Sequence, residues 1–500
     1  MSQGSLFPKL QLPEGLVTAL RLQNPWWDGR AMRVLPPTRR HLVDQMQARL
    51  RARIAPILVV RGPRQIGKTT AQHQVIEDLL RGGTPPRCIF RFQADELPEL
   101  EGMPSPIARL IEWYEHAVLG TSLSESARRE QPTWLFLDEV QNLPDWAPQL
   151  KTLVDHATTQ VVVTGSSALR IELGRDSLAG RIHTIEAGVL TLTEIAAFRG
   201  VELGQPFLHD NGLEPLLHFD FWRSLVSHGE RLRQERDACF AAFSERGGYP
   251  LPHERRDQPW TLIADQLNET VIRRVIQHDL RTGQRGRKRD GTLLEELFRL
   301  ACRYVGQAPD VQVFVRESQR ALSANIGPQR VREYLRFLGD TLLLRLIAPL
   351  EIRLKKRRAG SKICLADHGL RASWLQEQVP IAPDALAAAP ELAMLAGHIA
   401  ESVVGTTLST ISQLDLSWSP ERAGEPEVDF VLTIGTHRIP LEVKYQRRID
   451  EVRDTEGLRS FVEKAANRAP FGILVTQVDG AQVRDPRIVC VPLSTLMLLR

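Results

Sequence analysis

The apolar positions change period along the chain, and the changes mark its parts. From Ala55 to Ser167 short apolar runs alternate with longer amphipathic ones. "APILVVRG" (55–62), "RCIFRFQAD" (87–95), "TWLFLDEV" (133–140) and "TQVVVTGSS" (159–167) read as buried strands. "GKTTAQHQVIEDLLRG" (67–82), "SPIARLIEWYEHAVLG" (105–120) and "DWAPQLKTLVDHA" (145–157) read as the helices between them. This alternation predicts βαβ units and a parallel sheet. The lead-in before it, 1–54, carries Trp26 and Trp27, expected to pack on the next domain.

Past residue 200 the alternation gives way to helical runs. They are broken by a turn at Gly247-Gly248-Tyr249-Pro250 and by the basic stretch "RTGQRGRKRDG" (281–291), read as a linker or exposed loop. Three helical patterns (292–306, 315–324, 327–341) and a hairpin pattern in "LLLRLIAPLEIRLKKRRAG" predict a winged helix. The strand "KICLAD", a helix near 390–410 and paired strands at 427–445 begin a last α/β domain.

Two strand ends carry chemistry. Gly62-Pro63-Arg64-Gln65-Ile66-Gly67-Lys68-Thr69 matches Gly-x-x-x-x-Gly-Lys-Ser/Thr without a mismatch, between a predicted strand and a predicted helix. The glycines let backbone N–H groups and the helix N-terminus face phosphate. Lys68 is expected to reach the β- and γ-phosphates of ATP, and Thr69 to ligate Mg2+, with Thr70 beside it. The apolar run 134–137 ends in Asp138-Glu139, at the sheet edge where open α/β sheets bind ligands. Asp138 is expected to hold the Mg2+ and Glu139 to orient or deprotonate the attacking water. Thr164, Ser166 and Ser167 end the next strand, as a γ-phosphate sensor or as plain turn formers. In "GRDSLAGR", Arg175 and Arg181 are candidate arginine fingers. Arg181 is preferred, with a surface ion pair as the equal alternative.

Composition narrows the class only slightly. The chain has 500 residues, too many for one core, and is 42% hydrophobic, 25% charged and 6% aromatic, an ordinary globular balance. A net charge of +4 permits a nucleic-acid partner without demanding one. Five scattered cysteines support neither a zinc site nor a disulfide framework. The N-terminus lacks a signal-peptide pattern, and no apolar run approaches the roughly eighteen residues of a membrane span. The expectation is a cytoplasmic protein with no membrane segment.

The second candidate site lies near the end, in "EVDFVLTIGTHRIPLEVKY" (427–445). Asp429 closes one strand pattern, and the period of two puts Glu442 and Lys444 on one face of the next. Glu401 sits among small and apolar neighbours on the helix upstream. Carboxylates of this kind can hold Mg2+, which acidifies a water, while a lysine stabilises developing charge. The same residues are common as cross-strand ion pairs.

Taken in order, "GPRQIGKTT", "LFLDEVQNLP", "VVVTGSSALRI", "SLAGR", "GGYP", "VREYLRFLGDTLLL", "SKICLADHGL", "GHIAESVV", "EVDFVL" and "LEVKY" resemble a large prokaryotic family of AAA-type ATP-binding proteins. Its members couple the ATPase to a C-terminal PD-(D/E)XK nuclease-like domain of uncharacterised function. The resemblance covers about residues 20–480. It implies an α/β multidomain chain: an AAA-type P-loop ATPase (55–200), a helical region and linker (201–291), a winged helix (292–358) and a PD-(D/E)XK-like domain (359–500). It further implies Glu401, Asp429 and Glu442 as metal ligands and Lys444 as the catalytic lysine. No Gln-x-x-x-Tyr follows the third strand, which departs from RecB-like exonucleases.

Arg330, Arg332 and Arg336 on the last predicted helix of the winged helix could face DNA phosphate, as could Lys355 to Arg358 and the run 285–289. Solvated faces or subunit packing explain them equally. The reading that results is an ATPase whose nucleotide state drives a Mg2+-dependent nuclease-like domain acting on DNA, in a possible homo-oligomer. The alternative is an ATP-switched DNA- or protein-binding module whose nuclease-like domain does not cleave.

Overall fold

The structure, a computed structural model, describes residues 12–100, 102–165, 178–209, 212–276, 290–351, 360–421 and 424–500. The chain divides into two compact units, Met1–Pro63 with Gly67–Ala187, and Gly188–Arg500 with the short piece Arg64–Ile66.

The first unit is built on a five-stranded parallel sheet. Its strands are β1 (Ile57–Arg61), β2 (Ile89–Gln93), β3 (Trp134–Asp138), β4 (Gln160–Gly165) and β5 (Ile182–Glu186), in the order β2-β3-β4-β1-β5. Strands β1 to β4 are buried almost throughout, as expected of parallel strands covered on both faces, and this made them legible as apolar runs, interrupted in β2 by Arg91. β5, "IHTIE", was missed because it is an edge strand, mostly half-buried, that follows no such run. It pairs with β1 from Ile57↔Ile182 to Arg61↔Glu186, and Arg61 and Glu186 close that register with a 2.6 Å ion pair. Trp26 and Trp27 both donate their indole N–H to the Ile89 carbonyl, and Trp27 stacks on Tyr114, so the lead-in caps β2.

The second unit is one body of helices around a mixed sheet. β6 (Leu344–Pro349), β7 (Lys362–Leu365), β8 (Asp415–Ser419), β9 (Val428–Ile434), β10 (His437–Lys444), β11 (Gly472–Thr476) and β12 (Ile488–Pro492) lie in the order β12-β11-β10-β9-β8-β6-β7. Three helices, Gly291–Arg303, Val311–Leu322 and Pro328–Asp340, precede β6, as the sequence pattern predicts. The hairpin differs from expectation. The antiparallel partner of β6 is β7, beyond residue 358, and Ala348 and Pro349 of β6 also pair in parallel with Ser417 and Trp418 of β8. β6 and β7, on either side of 358/359, thus lie in one sheet.

Nor does the helical region after 200 stand apart. The Phe207 N–H donates to the Leu498 carbonyl (3.0 Å), and the buried Arg236 bonds both Asp479 oxygens (3.0 and 2.7 Å). The Gly-Gly turn is explained by its neighbour. Gly247 has φ 73°, and a Cβ there would stand 2.4 Å from Asp367 Oδ2. The Gly248 N–H donates to Asp367 Oδ1 (3.0 Å), so "GGYP" and "ADHG" form one packed joint.

Candidate functional site

The loop 62–69 leaves β1 and enters the helix Lys68–Arg81. Gly67 caps that helix at φ 89° and Gln65 stands at φ 61°, the positive-φ turns that wrap a phosphate loop. Pro63, Arg64 and Ile66 complete the loop, and Thr70 lies in the first helical turn. Lys68 is buried, and its Nζ donates to the carbonyls of Gly62 (2.9 Å) and Pro63 (2.6 Å).

The carboxylate side follows from strand register. Gln93, Asp138 and Thr164 are aligned partners at the ends of β2, β3 and β4, which brings three polar groups to one edge. The Thr69 hydroxyl donates to Asp138 Oδ2 (2.7 Å) and the Thr164 hydroxyl donates to Asp138 Oδ1. The buried Arg91 brings its Nη2 within 3.5 Å of Asp138 Oδ2 and donates from Nε to Gln72 Oε1 (3.1 Å). Gln72 in turn donates to Thr164 Oγ1 (3.2 Å), closing a ring of side chains beneath the loop. Burial lowers the pKa of Arg91, and Asp138 opposes that shift. Glu139 leaves the strand at φ 51°, a left-handed bend costing roughly 1–3 kcal/mol that packed surroundings must hold. Its Oε2 accepts from Gln141. His73, whose Nδ1–H donates to the Thr69 carbonyl, is pushed down to about 4 by burial and then by Arg91.

The residues fit Mg2+ here. Thr69 Oγ1 and Asp138 Oδ2 are two hard oxygens 2.7 Å apart, and Mg2+ takes one or two protein oxygens together with substrate phosphates. The guanidinium of Arg181, the preferred arginine-finger candidate, forms a bidentate pair with Asp155 (2.5 and 2.9 Å). Arg175, Ser166 and Ser167 lie outside the described residues, as do 285–289 and 355–358.

In the second unit Glu401, on the helix Ala393–Ser409, and Asp429, Glu442 and Lys444, on β9 and β10, do come together. They do so around a residue the sequence reading passed over. Lys362 of β7 has a side chain only 1% exposed, and its Nζ lies 2.7 Å from Asp429 Oδ1, 3.1 Å from Glu401 Oε2 and 3.5 Å from Glu427 Oε1. The rings of Phe430 and Trp418 flank the ammonium at 5.2 and 5.9 Å. Burial by itself would depress the Lys362 pKa, but Asp429 and then Glu401 reverse this and hold it above the ordinary lysine range. Asp429 Oδ2 accepts from the Val443 N–H (2.9 Å), and Glu442 Oε1 accepts from Lys444 (2.8 Å). Glu442 Oε2 is buried with no hydrogen-bond partner. Burial, and then Asp429, pushes the Glu442 carboxyl up to about 8.

These residues do not fit Mg2+. The oxygens that would ligate it from Glu401 and Asp429 are held by Lys362 and a backbone N–H. Among the described residues, no group of three His, Cys, Asp or Glu side chains is placed to hold a metal ion. Sequence reasoning missed Lys362 and Glu427, and also Arg91 and Gln72. A signal existed for two of them: Arg91 interrupts the apolar "IFRF", and Lys362 opens the fully buried "KICL".

A family model described as an AAA domain matches residues 55–196. Two models of domains of unknown function match further on, DUF8612 over 240–379 and DUF4143 over 396–496. The DUF8612 match crosses both the 291/292 and the 358/359 positions. Uncharacterized proteins of Mycobacterium tuberculosis (Rv2008c) and Mycobacterium bovis (Mb2031c) are 25% identical over 320 residues, 62% of this chain. The match spans 60% of the length of these relatives. Among solved structures, the Walker-type ATPase paby2304 of Pyrococcus abyssi is 13% identical and gives a TM-score of 0.36, over 68% of this chain and 99% of its own. Drosophila ORC bound to DNA gives 0.25 at 16% identity, over 75% and 97%. The first unit thus carries an ATP-binding domain of AAA type on a parallel P-loop sheet. No helix among the described residues is long and apolar enough to cross a membrane.

Proposed function

We propose that the chain is an ATPase whose nucleotide state is passed to the helices and mixed sheet of its second unit. Loop residues 62–70 hold the phosphates, Thr69 and Asp138 hold Mg2+, and Glu139 orients or deprotonates the attacking water. Bound there, Mg2+ neutralises charge on the phosphate oxygens. The observation that carries this reading is the 2.7 Å approach of Thr69 to Asp138, with Glu139 one residue beyond on a bend. ATP turnover by purified protein tests it. Lys68→Ala should abolish turnover. Glu139→Gln should retain ATP while lowering kcat by roughly 100-fold or more, the scale of a lost general base. Turnover by Lys68→Ala at the wild-type rate would sink the reading.

DNA is the partner this reading favours. Arg330, Arg332 and Arg336 are all exposed on the helix Pro328–Asp340, while Val331, Tyr334, Phe337 and Leu338 of the same helix are buried. That division leaves Arg332 and Arg336 on the side away from the buried stripe and Arg330 exposed at the start of the helix, all three accessible to phosphate. Reversing all three arginines to Glu should abolish salt-sensitive DNA binding and leave ATP binding intact.

A second reading concerns cleavage. A PD-(D/E)XK-like domain with working carboxylates would cut DNA with Mg2+, whereas a domain that has lost the metal would bind without cutting. The contact of Lys362 with Glu401 and Asp429 favours the latter. Incubation of wild type and Asp429→Ala with supercoiled plasmid, Mg2+ or Mn2+ and ATP decides it, since Asp429-dependent nicking would restore the nuclease.

A further inference from the structure

We propose that Lys362 is the resident cation of the C-terminal carboxylate cluster, closing it to divalent metal. The inference rests on the non-cleaving reading and gives its cause. Three observations converge. The ammonium is within ion-pair distance of Glu401 on the helix and of Glu427 and Asp429 at the start of β9 together, which is the position a cation bridging those carboxylates would take. It is almost wholly buried and lies over the rings of both Phe430 and Trp418, surroundings that suit an organic cation better than a hydrated ion. Two further carboxylate oxygens are also engaged: Asp429 Oδ2 by the Val443 N–H and Glu442 Oε1 by Lys444.

The charges account for the choice. Isolated buried carboxylates are costly, and a neighbouring opposite charge is what makes them tolerable. A divalent ion could meet that need only if the lysine left, which would place an ammonium in an apolar wall. Removing the ammonium while keeping its methylene stem leaves Glu401 and Asp429 facing each other without a cation, and a metal should then enter.

The probe is Mn2+ alone, counted by the loss of its free paramagnetic signal on adding full-length, nucleotide-free protein. Two comparisons decide independently. Wild type and Asp429→Asn should bind the same number of Mn2+ ions, and Lys362→Met should bind one more per chain, lost again in Lys362→Met/Asp429→Asn. An ion bound by wild type and lost in Asp429→Asn overturns the proposal. So does a folded Lys362→Met protein, with native circular dichroism, that gains none. Where Lys362→Met does not fold, the first comparison still decides between the two outcomes. Metal is counted without substrate, so a failure here is distinct from the outcome of the plasmid assay or of ATP turnover.

Discussion

Lys362 and Asp429 stand on strands that are not neighbours in the sheet, yet Nζ and Oδ1 are 2.7 Å apart, both buried. Their attraction is therefore a tertiary tie, joining the edge strand β7 to the middle of the sheet. Lys362→Met should cost about 3–5 kcal/mol, because the carboxylates it leaves behind stay buried and uncompensated. Lys362→Met in an Asp429→Asn background should cost clearly less. Urea midpoints of the four proteins measure the coupling, and additive losses would show that the tie is not formed.

Glu442 gives the second unit a pH dependence of definite sign. Its carboxyl moves from an ordinary 4.5 to about 8 on folding, through burial and the nearby Asp429. Between those values the folded chain binds more protons than the unfolded one, so this stabilisation is full below 4.5 and is lost as pH rises towards 8. The slope for one group is at most about 1.4 kcal/mol per pH unit. Glu442→Gln should remove it, leaving the variant as stable as wild type in acid and more stable at pH 8. Parallel stability curves from pH 5 to 8 would contradict this.

Arg91 lends Asp138 a positive charge from within the protein. Arg91→Met should lower the melting temperature of the nucleotide-free protein by several degrees. Mg2+·ATP should then raise it by more than in wild type, because the metal supplies the charge that was removed. An equal ligand-induced shift in both proteins would mean that Arg91 does not act through Asp138.

The joint between Gly247 and Asp367 leaves no room for a methyl group. Gly247→Ala places Cβ 2.4 Å from a buried carboxylate oxygen at φ 73° and should cost roughly 2–4 kcal/mol, the sum of overpacking and backbone strain. Gly424→Ala also meets a positive φ, but no atom lies within 4 Å of its Cβ, so it should cost less. Chemical denaturation of the pair separates the two contributions.

What could be read from the sequence was what is local. The P-loop is a contiguous run with its strand and helix beside it, and the apolar strands β1 to β4 stand out because both their faces are covered. Asp429, Glu442 and Lys444 were found because a hairpin keeps them close in sequence. What escaped reading depends on distant pairing. Nothing at position 362 says that its side chain will meet residues 401 and 429, and nothing at 349 says that it will pair with 418. The pairing of β6 with β7 across 358/359 is of the same distant kind. Helical and strand periods describe each segment but not which segments share a layer.

The parallel pairing of β6 with β8 also has a consequence in time. Pro349 leaves the ribosome well before Trp418, its partner 69 positions later. At roughly 5–20 residues per second that interval is roughly 3–14 s, long compared with the collapse of three helices. During it the edge of β6 that pairs with β8 has no partner. The run that follows in the sequence, 353–358, is basic at every position but Leu354, the composition that discourages nascent edges from pairing with other chains.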